Sequence, residues 1–216
     1  SLFPLTWMWC GNVALAAVLM AALRVAPWGR LAQPGRLNVW LGVTVVLVLM
    51  WSMRAGVLPG QILHLLGAGV VTLMFGPSLA MMALSLVLAA TTFNAGGHWQ
   101  AFGLNGLVAI VAPVLVAEVV RRLAERWLPP NFFIFAFVAG FLGAGLAVMS
   151  AGALSALLMW SAGLYASQQL LSDYLLYFIL LGFSESWMNG AVLTMMVVYA
   201  PEWVGSFDDR RYLLKK

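Results

Sequence analysis

The chain has 216 residues, of which 63% are hydrophobic and 8% are charged, and its formal net charge is +4. A typical soluble domain carries about 25% charged residues, and a soluble fold of this length has too little interior for so much apolar surface. With a mean hydropathy of +0.97, the composition excludes an ordinary soluble protein and indicates that lipid surrounds much of the chain. Because membrane loops commonly carry such an excess of positive charge, we expect no nucleic-acid partner.

The apolar stretches, taken in chain order, predict an all-α integral membrane protein with about seven transmembrane helices in one bundle. A helix that crosses the hydrocarbon core needs about 20 mostly apolar residues, and Pro, Gly and charged residues separate seven candidate segments. The predicted helices cover residues 6–23, 37–53, 61–75, 78–93, 103–120, a segment within 131–165, and 173–199.

The sixth segment allows two interpretations, because residues 131–165 are long for one span and short for two. As a single helix the segment would measure about 50 Å. Two spans would place the basic C-terminal tail outside, so we favour one long tilted span. Its small residues predict a face for close helix packing; they are Gly140, Gly143, Gly145, Ser150, Gly152, Ser155 and Gly163.

The basic residues predict which loops face the cytoplasm. Lys and Arg in short loops are retained on the cytoplasmic side, and all but Arg54 fall into three clusters. The clusters are Arg24, Arg30 and Arg36; Arg121, Arg122 and Arg126; and Arg210, Arg211, Lys215 and Lys216. We therefore predict an N-terminus outside, a single transmembrane domain over residues 1–200 and a cytoplasmic tail over residues 201–216.

Polar side chains at membrane depth are costly and therefore point to function. Glu185 and Asn189 lie one helical turn apart in the last span, so we predict that both face the bundle and that Asn189, or a polar group from another span, is the partner of Glu185. Glu118 precedes Arg121 by three residues near a span end and is expected to form a surface ion pair with it. The remaining candidates are His64, Asn105 and, closer to a span end, Asn12.

Sequence motifs of soluble enzymes are absent, including Gly-x-Gly-x-x-Gly, the P-loop, His-Glu-x-x-His and Cys-x-x-Cys. We predict that the protein is not an enzyme and that active transport would need a partner ATPase. On physical grounds alone, His64 is either a metal ligand or a hydrogen-bonding group between helices, and His98 is a loop residue beside Gly96 and Gly97.

Four short motifs between residues 60 and 105 form a pattern that resembles a known family. They are GQILHLLG at 60–67, FGP at 75–77, FNAGG at 93–97 and FGLN at 102–105. The pattern resembles the CbiM/NikM superfamily, the substrate-binding membrane subunits of energy-coupling-factor transporters for cobalt and nickel. The closing segment, residues 199–213, is similar to a compact proteobacterial branch. The resemblance implies a multi-pass permease of the bacterial cytoplasmic (inner) membrane that works with an ATPase and coupling module.

The resemblance also implies where a divalent transition metal ion would bind as substrate, at the outer face. The family's His-Leu-Leu-Gly segment supplies a metal-ligating His, which corresponds to His64. The loop over residues 94–102 is expected to close over the same region, which makes Asn94, His98 and Asn105 further candidates.

Two features of the family pattern are missing. The family binds the metal with the N-terminal amine and a His in second position, whereas this chain reads Ser1-Leu2-Phe3, and Ala95 replaces the acid of the family's loop. Met8 and Cys10, near the outer end of the first span, are candidate soft ligands, although such residues more often serve packing. The alternative function is therefore an accessory or assembly subunit of a larger membrane complex that keeps the fold but has lost metal binding.

Overall fold

The computed structural model describes residues 3–53, 55–58, 61–97, 99–208 and 212, and for residues 55–58, 61–63 and 173 it describes the backbone only. The described elements follow the order α1 (Leu5–Val25), α2 (Trp28–Leu31), α3 (Arg36–Ser52), β1 (Ala55–Leu58), β2 (Gln61–Leu63), α4 (Ala68–Phe75), α5 (Pro77–Asn94), α6 (Trp99–Trp127), α7 (Phe132–Ser161) and α8 (Ser167–Tyr199).

The predicted class, a helical membrane protein, is confirmed. Each of the seven predicted segments contains a helix, and α1, α5, α6, α7 and α8 are long and apolar enough to cross a bilayer. Large apolar side chains such as Phe93 and Val25 point outward, as expected where lipid replaces water as the solvent. Residues 132–161 form one continuous helix, which is the single-span alternative that the charge pattern favoured.

The third predicted segment differs from the prediction. Helix is expected over residues 61–75, but residues 61–63 form a strand that pairs antiparallel with β1, residues 64–67 are irregular, and helix begins only at Ala68. With eight residues, α4 is about 12 Å long and cannot cross the membrane alone. All eight of its residues are buried, so this element is a half-helix enclosed by the bundle.

Close contacts between α7 and α8 confirm the predicted packing role for Gly145 and Gly152, whereas a Cβ added to Gly163 would meet no atom within 4 Å. A Cβ added to Gly145 would collide with the Ser186 side chain, and one added to Gly152 would collide with the ring of Phe178. Glycine at these positions lets the two helix backbones approach closely, which is the main source of helix association in lipid.

The C-terminal end of α6 carries the predicted pair between Glu118 and Arg121, whose side chains meet at 2.7 Å. Arg121 also contacts Glu125, and Arg122 donates to Glu118 at 2.6 Å. The prediction of a surface pair was wrong in its location, because Glu118 is buried and its two arginine partners compensate its desolvation.

The segment after α8 packs against the bundle before the chain leaves the described region. The Gly205 amide donates to the Met74 carbonyl at 2.9 Å, and the Ser206 amide and hydroxyl both donate to the Leu73 carbonyl. These are carbonyls of the last turn of α4, which otherwise lack helical partners. Val204 is also buried. The C-terminal end of the half-helix is therefore capped by the segment that follows α8.

Candidate functional site

Glu185 lies at the centre of a buried polar network. Its side chain is 0% exposed and accepts hydrogen bonds from the backbone amides of Leu66 (2.9 Å) and Gly67. Asn189, one turn further along α8, donates from Nδ2 to the same carboxyl group at 2.9 Å. Three donors thus converge on one carboxyl group, which is how a buried acid avoids the full cost of desolvation.

The network exists because α4 starts inside the protein. The first N–H groups of a helix have no helical acceptors, and Gly67, which precedes α4, has no side chain to cap them. Asn189 Oδ1 accepts from the Val70 amide at 2.9 Å, and Glu185 accepts from Gly67. The acid also lies at the positive end of the α4 dipole. Glu185 and Asn189 therefore cap α4 from a different helix.

His64 is the first residue of the irregular segment 64–67, whose backbone is hydrogen-bonded to Glu185. The imidazole is half-buried and packs on the Trp51 indole, with ring centroids 4.5 Å apart. The Trp51 indole N–H also donates to the Leu66 carbonyl at 3.0 Å. Residues 64–67 are thus fixed by α3 on one side and by α8 on the other, so irregular backbone is tolerated because its polar groups have protein partners.

The contacts of the imidazole indicate its tautomer. His64 Nδ1 lies 3.1 Å from the Leu65 carbonyl oxygen, which can only accept a hydrogen bond, so Nδ1 carries the proton in this contact. In the neutral imidazole with its proton on Nδ1, Nε2 is the nitrogen through which such a ring can ligate a metal ion.

Asn12 performs a second helix-capping role that the sequence indicated only weakly. Its Oδ1 accepts from the Gly103 amide at 2.7 Å, and its Nδ2 donates to the Gln100 carbonyl at 3.1 Å. A Cβ on Gly103 would collide with the backbone of Gly11 and Asn12. This contact fixes the start of α6 against α1, close to the loop that precedes α6.

Comparison of the sequence with models of known protein families assigns the chain to one of them. The family model for CbiM, described as cobalt uptake substrate-specific transmembrane region, matches residues 1–203. The chain belongs to this family. No curated protein sequence matches it.

Two solved structures have the same fold as this CbiM-family chain. One, titled as the crystal structure of a truncated transition metal transporter, aligns with a TM-score of 0.72 and 16% identity, covering 92% of this chain and 96% of the other. A second, titled as the crystal structure of a transition metal transporter, aligns with a TM-score of 0.72 and 17% identity, covering 90% and 89%. Together with the family match, these structures indicate a membrane component of metal transport and not an enzyme.

The structure brings together only some of the predicted site residues. His64, Glu185 and Asn189 share one neighbourhood through residues 64–67, whereas Asn94 and Asn105 are exposed. His98 lies outside the described residues.

Met8 and Cys10 do not form a sulfur pair. Met8 is buried and Cys10 is exposed, so the two side chains point to different faces of α1. Among the described residues, no group of three or more His, Cys, Asp or Glu side chains could hold a metal ion.

Proposed function

We propose that this chain is the substrate-binding permease subunit of a bacterial inner-membrane transporter and that it captures a divalent transition metal ion from the outer face. Membership of the cobalt uptake family supports transport of a metal ion. In this proposal the ion is Co²⁺ or Ni²⁺, both of which accept imidazole ligands. Because the sequence has no ATP-binding motif, a partner ATPase and coupling module supplies the energy.

The observation that carries the proposal is the fixed position of the His64 segment. A half-buried imidazole stacks on Trp51, while the backbone two and three residues later is bonded to Glu185. Preorganisation of this kind lowers the cost of ordering a ligand when the ion arrives. His98, Asn94 and Asn105 are the proposed sources of further ligands, from the loop before α6 and the first turns of that helix.

The test is metal binding by purified protein in detergent, measured by calorimetry with Co²⁺ and Ni²⁺ and by elemental analysis of the isolated protein. We expect His64→Ala to weaken binding by more than the roughly 10–100-fold that loss of an outer-shell partner costs. His98→Ala tests the proposed loop ligand in the same assay, because His64 and His98 are the only two histidines in the chain. The midpoint of thermal unfolding reports whether each variant stays folded.

Two observations favour the alternative function, an accessory or assembly subunit of a larger membrane complex. This chain has Leu2 where the resembled family has a metal-ligating His, and among the described residues no group of three or more His, Cys, Asp or Glu side chains could hold a metal ion. If wild-type protein binds neither ion and His64→Ala changes only stability, the permease function is wrong and the accessory function is supported.

A further inference from the structure

An open cleft lies between α3 and α8, on the side of the bundle where these two helices do not pack closely. Its volume is about 600 Å³ and its floor is the half-helix α4, through Gly67, Val70, Val71 and Met74. One wall is α3, from Asn38 to Met50, and the other is α8, from Met188 to Met196. The cleft is separate from the imidazole of His64, which does not line it.

The lining of the cleft is almost wholly apolar, with Val and Met side chains on both walls. An apolar cavity of this kind does not hold ordered water, and α3 and α8 are membrane helices, so hydrocarbon is the natural filling. Methionine side chains adapt to occupants of irregular shape, and Met50, Met188 and Met196 all line the walls.

The length of the cleft suits a lipid tail. The α3 wall spans twelve residue steps, or about 18 Å, which is close to the roughly 15 Å half-thickness of a bilayer's hydrocarbon core.

One end of the cleft carries groups that suit a phosphate. Asn38 and Trp203 line this end, and the Arg36 guanidinium lies beside Gly205, whose amide binds Met74 on the cleft floor. The ion pairs among the described residues do not include Arg36. Arg36 thus supplies a positive charge at the membrane face where α3 begins.

We propose that this cleft binds one anionic phospholipid, with an acyl chain between α3 and α8 and the phosphate at Arg36. The tail is held by apolar contact along the two walls, and the headgroup by the guanidinium and the Asn38 amide. Charge selects anionic over zwitterionic lipid, because each Arg or Lys near the surface favours anionic lipid. Nothing in the proposed metal site is required for this binding.

Gly42 offers a clean way to fill the cleft. It lines the α3 wall, and a Cβ added there meets no atom within 4 Å, so a larger side chain enters open space. We expect Gly42→Leu to fold and to displace the acyl chain. Gly29→Leu is the matched control, because Gly29 is equally open but lies in α2, outside the cleft.

The measurement is native mass spectrometry of purified protein, titrated in detergent with phosphatidylglycerol or with phosphatidylethanolamine of the same chain length. We expect one phosphatidylglycerol to bind wild type and the Gly29→Leu control, and to bind Gly42→Leu at least fivefold more weakly. Arg36→Gln should reduce the preference for phosphatidylglycerol about fivefold, the equivalent of about 1 kcal/mol. Arg30→Gln, which removes an exposed arginine of the same face, should not change it.

Three outcomes would overturn the proposal. Equal binding of both lipids to wild type would remove the role of Arg36, and unchanged binding to Gly42→Leu would place the lipid elsewhere. Cross-linking from a cysteine at Gly42 to a partner protein in native membranes, with no lipid retained after purification, would assign the cleft to a partner helix instead.

Discussion

Glu185 shows how one side chain can supply hydrogen-bond acceptors to a stretch of backbone that is not helical. Its carboxyl group accepts from the amides of Leu66 and Gly67 and from Asn189, so the chain enters the bundle without a helix at that point. Each of these amides would otherwise be an unsatisfied donor in a medium that offers no water.

Substitution of Glu185 should reveal this role through stability. Glu185→Ala leaves two buried amides without acceptors, at about 1–3 kcal/mol each, and we expect the thermal unfolding midpoint in detergent to fall by on the order of 10 °C. Glu185→Gln keeps one acceptor oxygen, so its unfolding midpoint should lie between those of the wild type and the alanine variant.

Ser184→Ala is the control for this series, because Ser184 is exposed on the same helix and its hydroxyl bonds only the carbonyl one turn earlier. If Glu185→Ala were as stable as Ser184→Ala, the carboxyl group would not be holding the segment at residues 64–67.

At the scale of elements, α4 depends on caps that other parts of the chain supply. Its N-terminal end is capped by Glu185 and Asn189, and its C-terminal end by Gly205 and Ser206. Eight residues are too few for a helix to be stable alone, so tertiary contacts decide that this helix forms and where it stops.

Gly67 joins the irregular segment to α4, and its backbone has a φ of +68°. A left-handed conformation costs a residue with a Cβ about 1–2 kcal/mol, and at Gly67 the added Cβ would also lie 2.6 Å from Leu47 Cδ2. We expect Gly67→Ala to lower the unfolding midpoint by more than the strain alone explains. The same measurement in detergent tests this.

Gly163 provides the matched position for that experiment. Its φ is +67°, almost the same as at Gly67, but a Cβ there meets no atom within 4 Å. Gly163→Ala should therefore show the conformational cost without the collision. Equal midpoints for the two variants would mean that Leu47 moves aside at no cost.

At the scale of the whole molecule, the distribution of basic residues still carries the prediction of orientation. Ten of the eleven Lys and Arg residues fall into three clusters, and the seven helical segments place these clusters on one membrane face if α4 and its preceding irregular segment together complete one crossing. We predict that the chain after residue 200 is cytoplasmic.

A pair of C-terminal fusions tests this orientation. Green fluorescent protein joined after Lys216 should fluoresce, and alkaline phosphatase joined at the same residue should be inactive, because it folds to an active enzyme only outside the cytoplasm. Active phosphatase would require another crossing and would contradict the positive-inside assignment.

The sequence by itself determined the membrane class and the existence of seven helical segments, whereas for residues 131–165 it only favoured one long span over two. These features depend on local composition and on segment length, which apolar runs and the Gly-Pro breaks show directly. It also marked Glu185 and Asn189 as inward-facing, because a charged group at membrane depth needs a partner wherever the chain folds.

Only the tertiary structure decided what Glu185 binds and where α4 begins. The partner amides of Leu66 and Gly67 lie more than a hundred residues away in the chain, and no local pattern reports such a pairing. The apolar run over residues 61–75 fits helix equally well, and the choice of strand, irregular segment and half-helix follows from caps supplied by α3, α8 and the segment after α8. The open cleft beside α4 likewise depends on how helices pack, which the order of residues does not express.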